Sequence, residues 1–137
     1  MEIIIFKLSL VILAGIFNAI MDTLSIFGFD NSVFGRYSIF KRFKRFLDPD
    51  ISWANKWKGG KRELGEKFPG SSTIFVFTTD MWHLSKYIMI LCLVLVTINP
   101  TPIFGLYIDW FVYWVLFGFT FEVFLRLLSG QKLITFK

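Results

Sequence analysis

The sequence predicts an all-α, polytopic integral membrane protein: three transmembrane helices plus one interfacial amphipathic helix. Three observations predict it. The 137 residues are 55% hydrophobic, include 18 phenylalanines and are only 18% charged, with a mean hydropathy of +0.60. A soluble domain of this length keeps a mostly polar surface, which this composition cannot supply. The apolar residues also fall into blocks long enough to cross a bilayer as helices of about 20 residues. Finally, ten of the fifteen Lys and Arg residues lie between Arg36 and Lys67, in the connection between the first and second blocks, so one side of the membrane carries the positive charge.

The first span is expected over residues 3–24. Its leader carries Glu2, no basic cluster precedes the apolar run and no A-x-A site follows, so it reads as a retained span and not as a cleaved signal. Lys7 lies in its first turns and is expected to snorkel outward. Next, RYSIFKRFKRFL (36–47) sets Ile39, Phe40, Phe43, Phe46 and Leu47 on one helical face and Lys41, Lys44 and Arg45 on the other. That pattern suits a helix lying on anionic lipid, or one that simply anchors topology. Residues 48–72 are polar and rich in turn formers, and hold Trp53 and Trp57, as expected of a compact interfacial loop. Gly59-Gly60-Lys61 within it is not a phosphate loop, because it lacks the earlier glycine and the following Ser or Thr.

The second span is expected over 73–98, with Ser71 or Ser72 as its cap. Asn99-Pro100-Thr101-Pro102 then reverses the chain, since two prolines in four residues cannot continue a helix. The third span follows over 103–128, and 129–137 is a tail. The basic long connection and the uncharged turn predict an outside amino terminus and a cytoplasmic carboxyl terminus, in agreement with Arg126, Lys132 and Lys137. A bacterial cytoplasmic membrane is the expected location. Cys92 is the single cysteine, so no internal disulfide or cysteine-rich metal site can form, and a buried small hydrophobe is its expected role.

Ionisable groups inside apolar spans are costly, so they are the first place to look for function. Gly15, Asn18 and Asp22 share a face of the first span, and Asp80, His83 and Tyr87 share one of the second, each at i, i+3 and i+7. Glu122 and Arg126 lie toward the inner end of the third. If the second and third spans pair as a hairpin, Asp80 and Glu122 stand equally far from Thr101, 21 residues on either side, and reach the same depth. The expected constellation is Asn18, Asp22, Asp80, His83 and Glu122. Asp22, Asp80, His83 and Glu122 are the candidate catalytic residues, and the same four are the candidate ligands of a divalent metal. Simpler roles exist for each: Asp80 as a helix cap, Glu122 in an i, i+4 pair with Arg126, and His83 in helix packing. Asp109, among Tyr107, Trp110, Tyr113 and Trp114, belongs to an outer aromatic belt near water. Lys86, near the inner boundary, either snorkels or holds an anionic group.

The stretches DPDISWANKWK (48–58), GEKFP (65–69) and TDMWHL (79–84) resemble a group of small bacterial integral membrane proteins with no assigned activity, which share D-P-x-x-S-W-x-N-K and T-D-x-W-H motifs. The resemblance runs as far as the second span. It implies a shared bacterial membrane fold and marks Trp53, Asn55, Lys56, Asp80, Trp82 and His83 as the recurring part. With Asn18 and Lys86, the residues Trp53, Asn55 and Lys56 make up the candidate substrate-binding set.

Two functional readings follow. One is a membrane-embedded hydrolase or transferase acting on a lipid or lipid-linked phosphate at the cytoplasmic leaflet. The other is a non-catalytic component, either a subunit of a larger membrane complex or a small homo-oligomeric channel or scaffold. Anionic inner-leaflet lipid is the expected partner. Nucleic acid is not, because the basic face is paired with an apolar one suited to lipid.

Overall fold

Between Lys7 and Asn18 every residue except Ser9 is apolar or glycine, and this stretch lies within α1 (Glu2–Asp22), 21 residues long. At 1.5 Å per residue that is roughly 30 Å, the thickness of the hydrocarbon core. The computed structural model describes residues 2–98 and 101–131. Lys132, Lys137 and most of the expected tail, like Asn99 and Pro100 of the expected turn, lie outside the described residues. After α1 come five one-turn helices, α2 (Gly28–Asn31), α3 (Val33–Arg36), α4 (Ser38–Lys41), α5 (Lys44–Leu47) and α6 (Pro49–Ser52), then the long helices α7 (Met81–Ile98) and α8 (Leu106–Ser129). Three helical segments are long and apolar enough to cross a membrane, Glu2–Arg36, Met81–Ile98 and Leu106–Ser129. Among the described residues there is no β-strand, only an isolated antiparallel bridge between Trp57 and Glu66.

α1 is the centre of the bundle. It packs extensively on both α7 and α8, which make little contact with each other. Small residues allow the approach: Ala14, Gly15 and Ala19 of α1 and Ser85 and Cys92 of α7 are buried. A Cβ on Gly15 would meet the Phe117 carbonyl oxygen and Thr120 Cβ, each at 3.0 Å. Without a hydrophobic drive between helices in lipid, close backbone packing of this kind supplies the association. α8 lends only 6% of its span to burial, so most of its apolar surface faces outward.

At the turn end, Lys7 does not reach outward as expected. It is 3% exposed, and its ammonium donates to the Thr101 carbonyl at 2.6 Å. Asp109, expected near water, is likewise buried and accepts from the amides of Ile103 (2.6 Å) and Phe104 (2.9 Å). Both corrections have one cause: the connection into α8 offers backbone partners that the adjoining spans lack, and a charge is tolerated inside once it is hydrogen-bonded.

At the opposite end the chain folds into a cap. α1 runs on through a π-helical stretch, Thr23–Phe27, and breaks at Gly28, whose φ of +75° suits glycine. Leu24, Phe29, Phe34 and Leu47 then form a buried cluster against which Phe40, Phe46, Met81 and Leu128 pack. The amphipathic segment 36–47 is helical as two single turns, α4 and α5, with Phe43 between them at φ −104°, ψ 11°. Bending lets Phe40, Phe46 and Leu47 turn inward while Ile39 and Phe43 stay exposed. A helix of twelve residues is marginal in isolation, so this packing overrides its periodicity. α7 begins at Met81 and not near residue 73. The hydroxyls of Thr78 and Thr79 bond back to the carbonyls of Phe75 and Val76, an alternative to helix that threonine offers readily.

Candidate functional site

Asp80 stands immediately before α7, where helix amides lack carbonyl partners. Its carboxylate accepts the His83 amide at 2.9 Å, so it caps the helix, one of the roles expected for it. The same carboxylate lies 2.7 and 2.8 Å from His83 Nδ1 and 3.2 Å from the Thr79 hydroxyl. Because a carboxylate accepts, Nδ1 donates to it and Nε2 is the nitrogen turned away from Asp80. The Asp80 side chain is 4% exposed and that of His83 30%, which leaves a buried acceptor holding a half-exposed imidazole. Among the described residues Nε2 makes no hydrogen bond. Trp82 meets the imidazole edge-on at 4.9 Å, and the Lys86 ammonium lies 5.0 Å over the Trp82 ring.

Asn55 joins this pair to the cap. Its amide nitrogen donates to the carbonyls of Arg45 (2.7 Å) and Thr79 (2.9 Å), and its oxygen accepts from Arg45 Nε at 3.1 Å. The S-W-x-N-K and T-D-x-W-H stretches, far apart in the chain, therefore meet through one side chain. Trp53 is exposed and donates its indole N–H to the Asp50 carbonyl. Lys56 contributes its backbone, its carbonyl accepting from the Lys67 amide and the Ser71 hydroxyl.

Among the described residues no hydrogen bond or ion pair joins the remaining candidates to this pair. Glu122 is paired with Arg126 one turn on, the simpler role expected of it. Asn18 and Asp22 are half-buried on α1, and Asp22 follows Gly15 by seven residues, on the face that meets α8. α1 itself stands between α7 and α8, which separates Asp80 and His83 from Glu122. Among the described residues no three His, Cys, Asp or Glu side chains are grouped to hold a metal ion, so the geometry lends the four-ligand metal reading no support.

No family model matches this chain, nor does any curated protein or solved structure. What can be said of its chemistry comes from the side chains themselves.

Two features went unread in the sequence. Glu66 accepts from the amides of Gly70 (2.9 Å) and Ser72 (3.1 Å) and from the Ser72 hydroxyl. The Ser72 hydroxyl, followed by the Gly70 and Ser72 amides, holds the Glu66 carboxyl below the usual carboxylate range. The second is a cleft of about 320 Å³ bordered by α5, Asn55, Lys67, Phe68 and the Thr78-Thr79 approach to α7. The convergence of the G-E-K-F and T-D stretches on α5 depends on how the loop folds, which no local pattern encodes.

Proposed function

We propose that the protein acts on a lipid or lipid-linked phosphate at the membrane face carrying the cap, as a hydrolase or transferase with His83 as acid/base and Asp80 orienting it. The observation that supports this reading is the Asp80–His83 pair: a buried carboxylate on Nδ1 and an unbonded Nε2, beside Trp82 and Lys86 where the basic cap meets the span. A carboxylate on one imidazole nitrogen orients the ring and leaves the other nitrogen to meet the substrate, which is what general-base chemistry on a phosphate ester or an attacking water requires. Lys86 supplies a cation for the anionic group. The reading places the cap in the cytoplasm of a bacterium and the amino terminus outside, supported by the ten basic residues of the connection.

The test is turnover of phosphatidic acid and phosphatidylglycerol by the full chain in nanodiscs, followed as released phosphate and as changed headgroups by mass spectrometry. His83→Ala is expected to lower turnover by about 10²-fold or more. Asp80→Asn keeps an acceptor for the His83 amide and so keeps the cap, and is expected to slow turnover with little change in thermal unfolding. Wild-type protein that alters neither lipid, or a His83→Ala rate equal to wild type, overturns the proposal. That outcome, with a defined oligomer by mass, belongs to the second reading, a non-catalytic membrane component. Its support is α8, whose wide uncovered apolar face suits a partner helix as well as lipid.

A further inference from the structure

We propose that the cleft between α5 and the approach to α7 binds the phosphate ester of a membrane lipid headgroup. Its volume, about 320 Å³, is at the lower end of the range for ligand pockets, roughly 300–1,000 Å³, and fits a headgroup better than a large metabolite. Arg45 and Lys67 border it and no carboxylate does. Asp80, next to the cleft residue Thr79, is engaged by His83.

Both cations have unspent donors. Arg45 uses Nε on Asn55, and its two terminal nitrogens have no partner among the described residues. The Lys67 ammonium makes no hydrogen bond or ion pair among them either, in contrast to nearby Lys44, which is held by Asp30 at 2.8 Å. A guanidinium fork and an ammonium lining one cleft match a phosphate, which accepts charge-assisted bonds from both. Asn55 preorganises the site, since its amide holds the backbone at Arg45 and at Thr79 together.

The same chemistry would accept a soluble phosphate ester, but two features favour a lipid. Phe46 and Phe68 flank the cations, giving an apolar border for the glycerol and acyl carbons. Thr79 also stands two residues before α7, where the span enters the bilayer, at the depth of lipid phosphates. The site stands independently of catalysis at His83.

The experiment is native mass spectrometry of the full chain released from phosphatidylcholine nanodiscs doped with phosphatidic acid. Wild type is expected to retain phosphatidic acid. Arg45→Gln with Lys67→Gln is expected to lose at least about tenfold in retention, the equivalent of one charge-assisted hydrogen bond. Lys41→Gln with Lys61→Gln, which removes two exposed charges elsewhere on the cap, is expected to retain it. Lys67→Gln alone should show part of the loss, and its side chain supports no other group, so a folding defect in the double variant would not obscure the answer. Retention unaffected by excess inorganic phosphate supports the lipid. Displacement by phosphate supports the phosphate chemistry and moves its source into solution. Equal losses in the two double variants, or no preference for phosphatidic acid over phosphatidylcholine, overturn the proposal. Retention of phosphatidic acid without turnover leaves this proposal standing while the catalytic reading fails, and turnover without loss of retention in the Arg45→Gln, Lys67→Gln variant does the reverse, so the two failures are separable.

Discussion

Glu66 shows how a single side chain can organise a loop. Three donors converge on its carboxylate and depress its pKa. A carboxyl whose folded pKa lies below its unfolded one stabilises the fold above the unfolded value, and that contribution is lost as pH falls through the folded value. Hydrogen exchange of the Gly70 and Ser72 amides should therefore be slow near neutrality and quicken, relative to the rest of the cap, as pH drops below the ordinary carboxylate range. Glu66→Gln keeps one acceptor oxygen and has no carboxyl to titrate, so it should retain only part of the protection and show no such transition. Asn55 and Asp80 act at the same scale. The capping role of Asp80 was legible from its place before an apolar run. The bonds of Asn55 to Arg45 and Thr79 were not, since no local rule connects residues ten and twenty-four positions away.

Among the elements, α1 was the easiest to read and the most consequential to place. Its length and composition made it a span, but its close seat against α8 rests on Gly15, which lets the Phe117 backbone and Thr120 come close. Gly15→Leu is expected to overpack this contact and cost about 1–3 kcal/mol in a detergent unfolding titration. Gly118 makes the matched control. A Cβ there meets nothing within 4 Å, so Gly118→Ala should be neutral or stabilise α8 by up to about 1 kcal/mol through helix propensity. The segment 36–47 illustrates the converse. Its 3.6-residue pattern was genuine, yet the chain bends at Phe43 because Phe46 and Leu47 gain more by packing near Leu24 and Phe29 than a short isolated helix gains by continuing.

For the whole molecule, the uneven distribution of charge carries the expected direction across the membrane. Cys92 is the single cysteine and is buried, so replacing it by alanine gives a background for site-specific labelling. In intact bacterial cells a membrane-impermeant maleimide should label Thr101→Cys at the turn and spare Lys61→Cys in the cap. The opposite pattern would reverse the orientation and move the proposed lipid chemistry to the other leaflet. Either way the two ends differ in kind: the turn end buries Lys7 and Asp109 against backbone groups, whereas the cap end gathers the exposed cations.

The sequence by itself determined the class of protein, its three spans and the residue types available for chemistry, because hydrophobic length and charge are local properties of the chain. The capping of α7 by Asp80 and the pairing of Glu122 with Arg126 were legible for the same reason, being contacts within one helical turn. Only the tertiary structure decided which helix lies in the middle. With α1 there, equal sequence distance from the turn no longer brings Asp80 and Glu122 together, and within the expected constellation the bonded pair is Asp80 with His83. Tertiary packing likewise drew Arg45, Asn55, Lys67 and Thr79 around one cleft, since the compact cap depends on contacts between residues far apart in the chain.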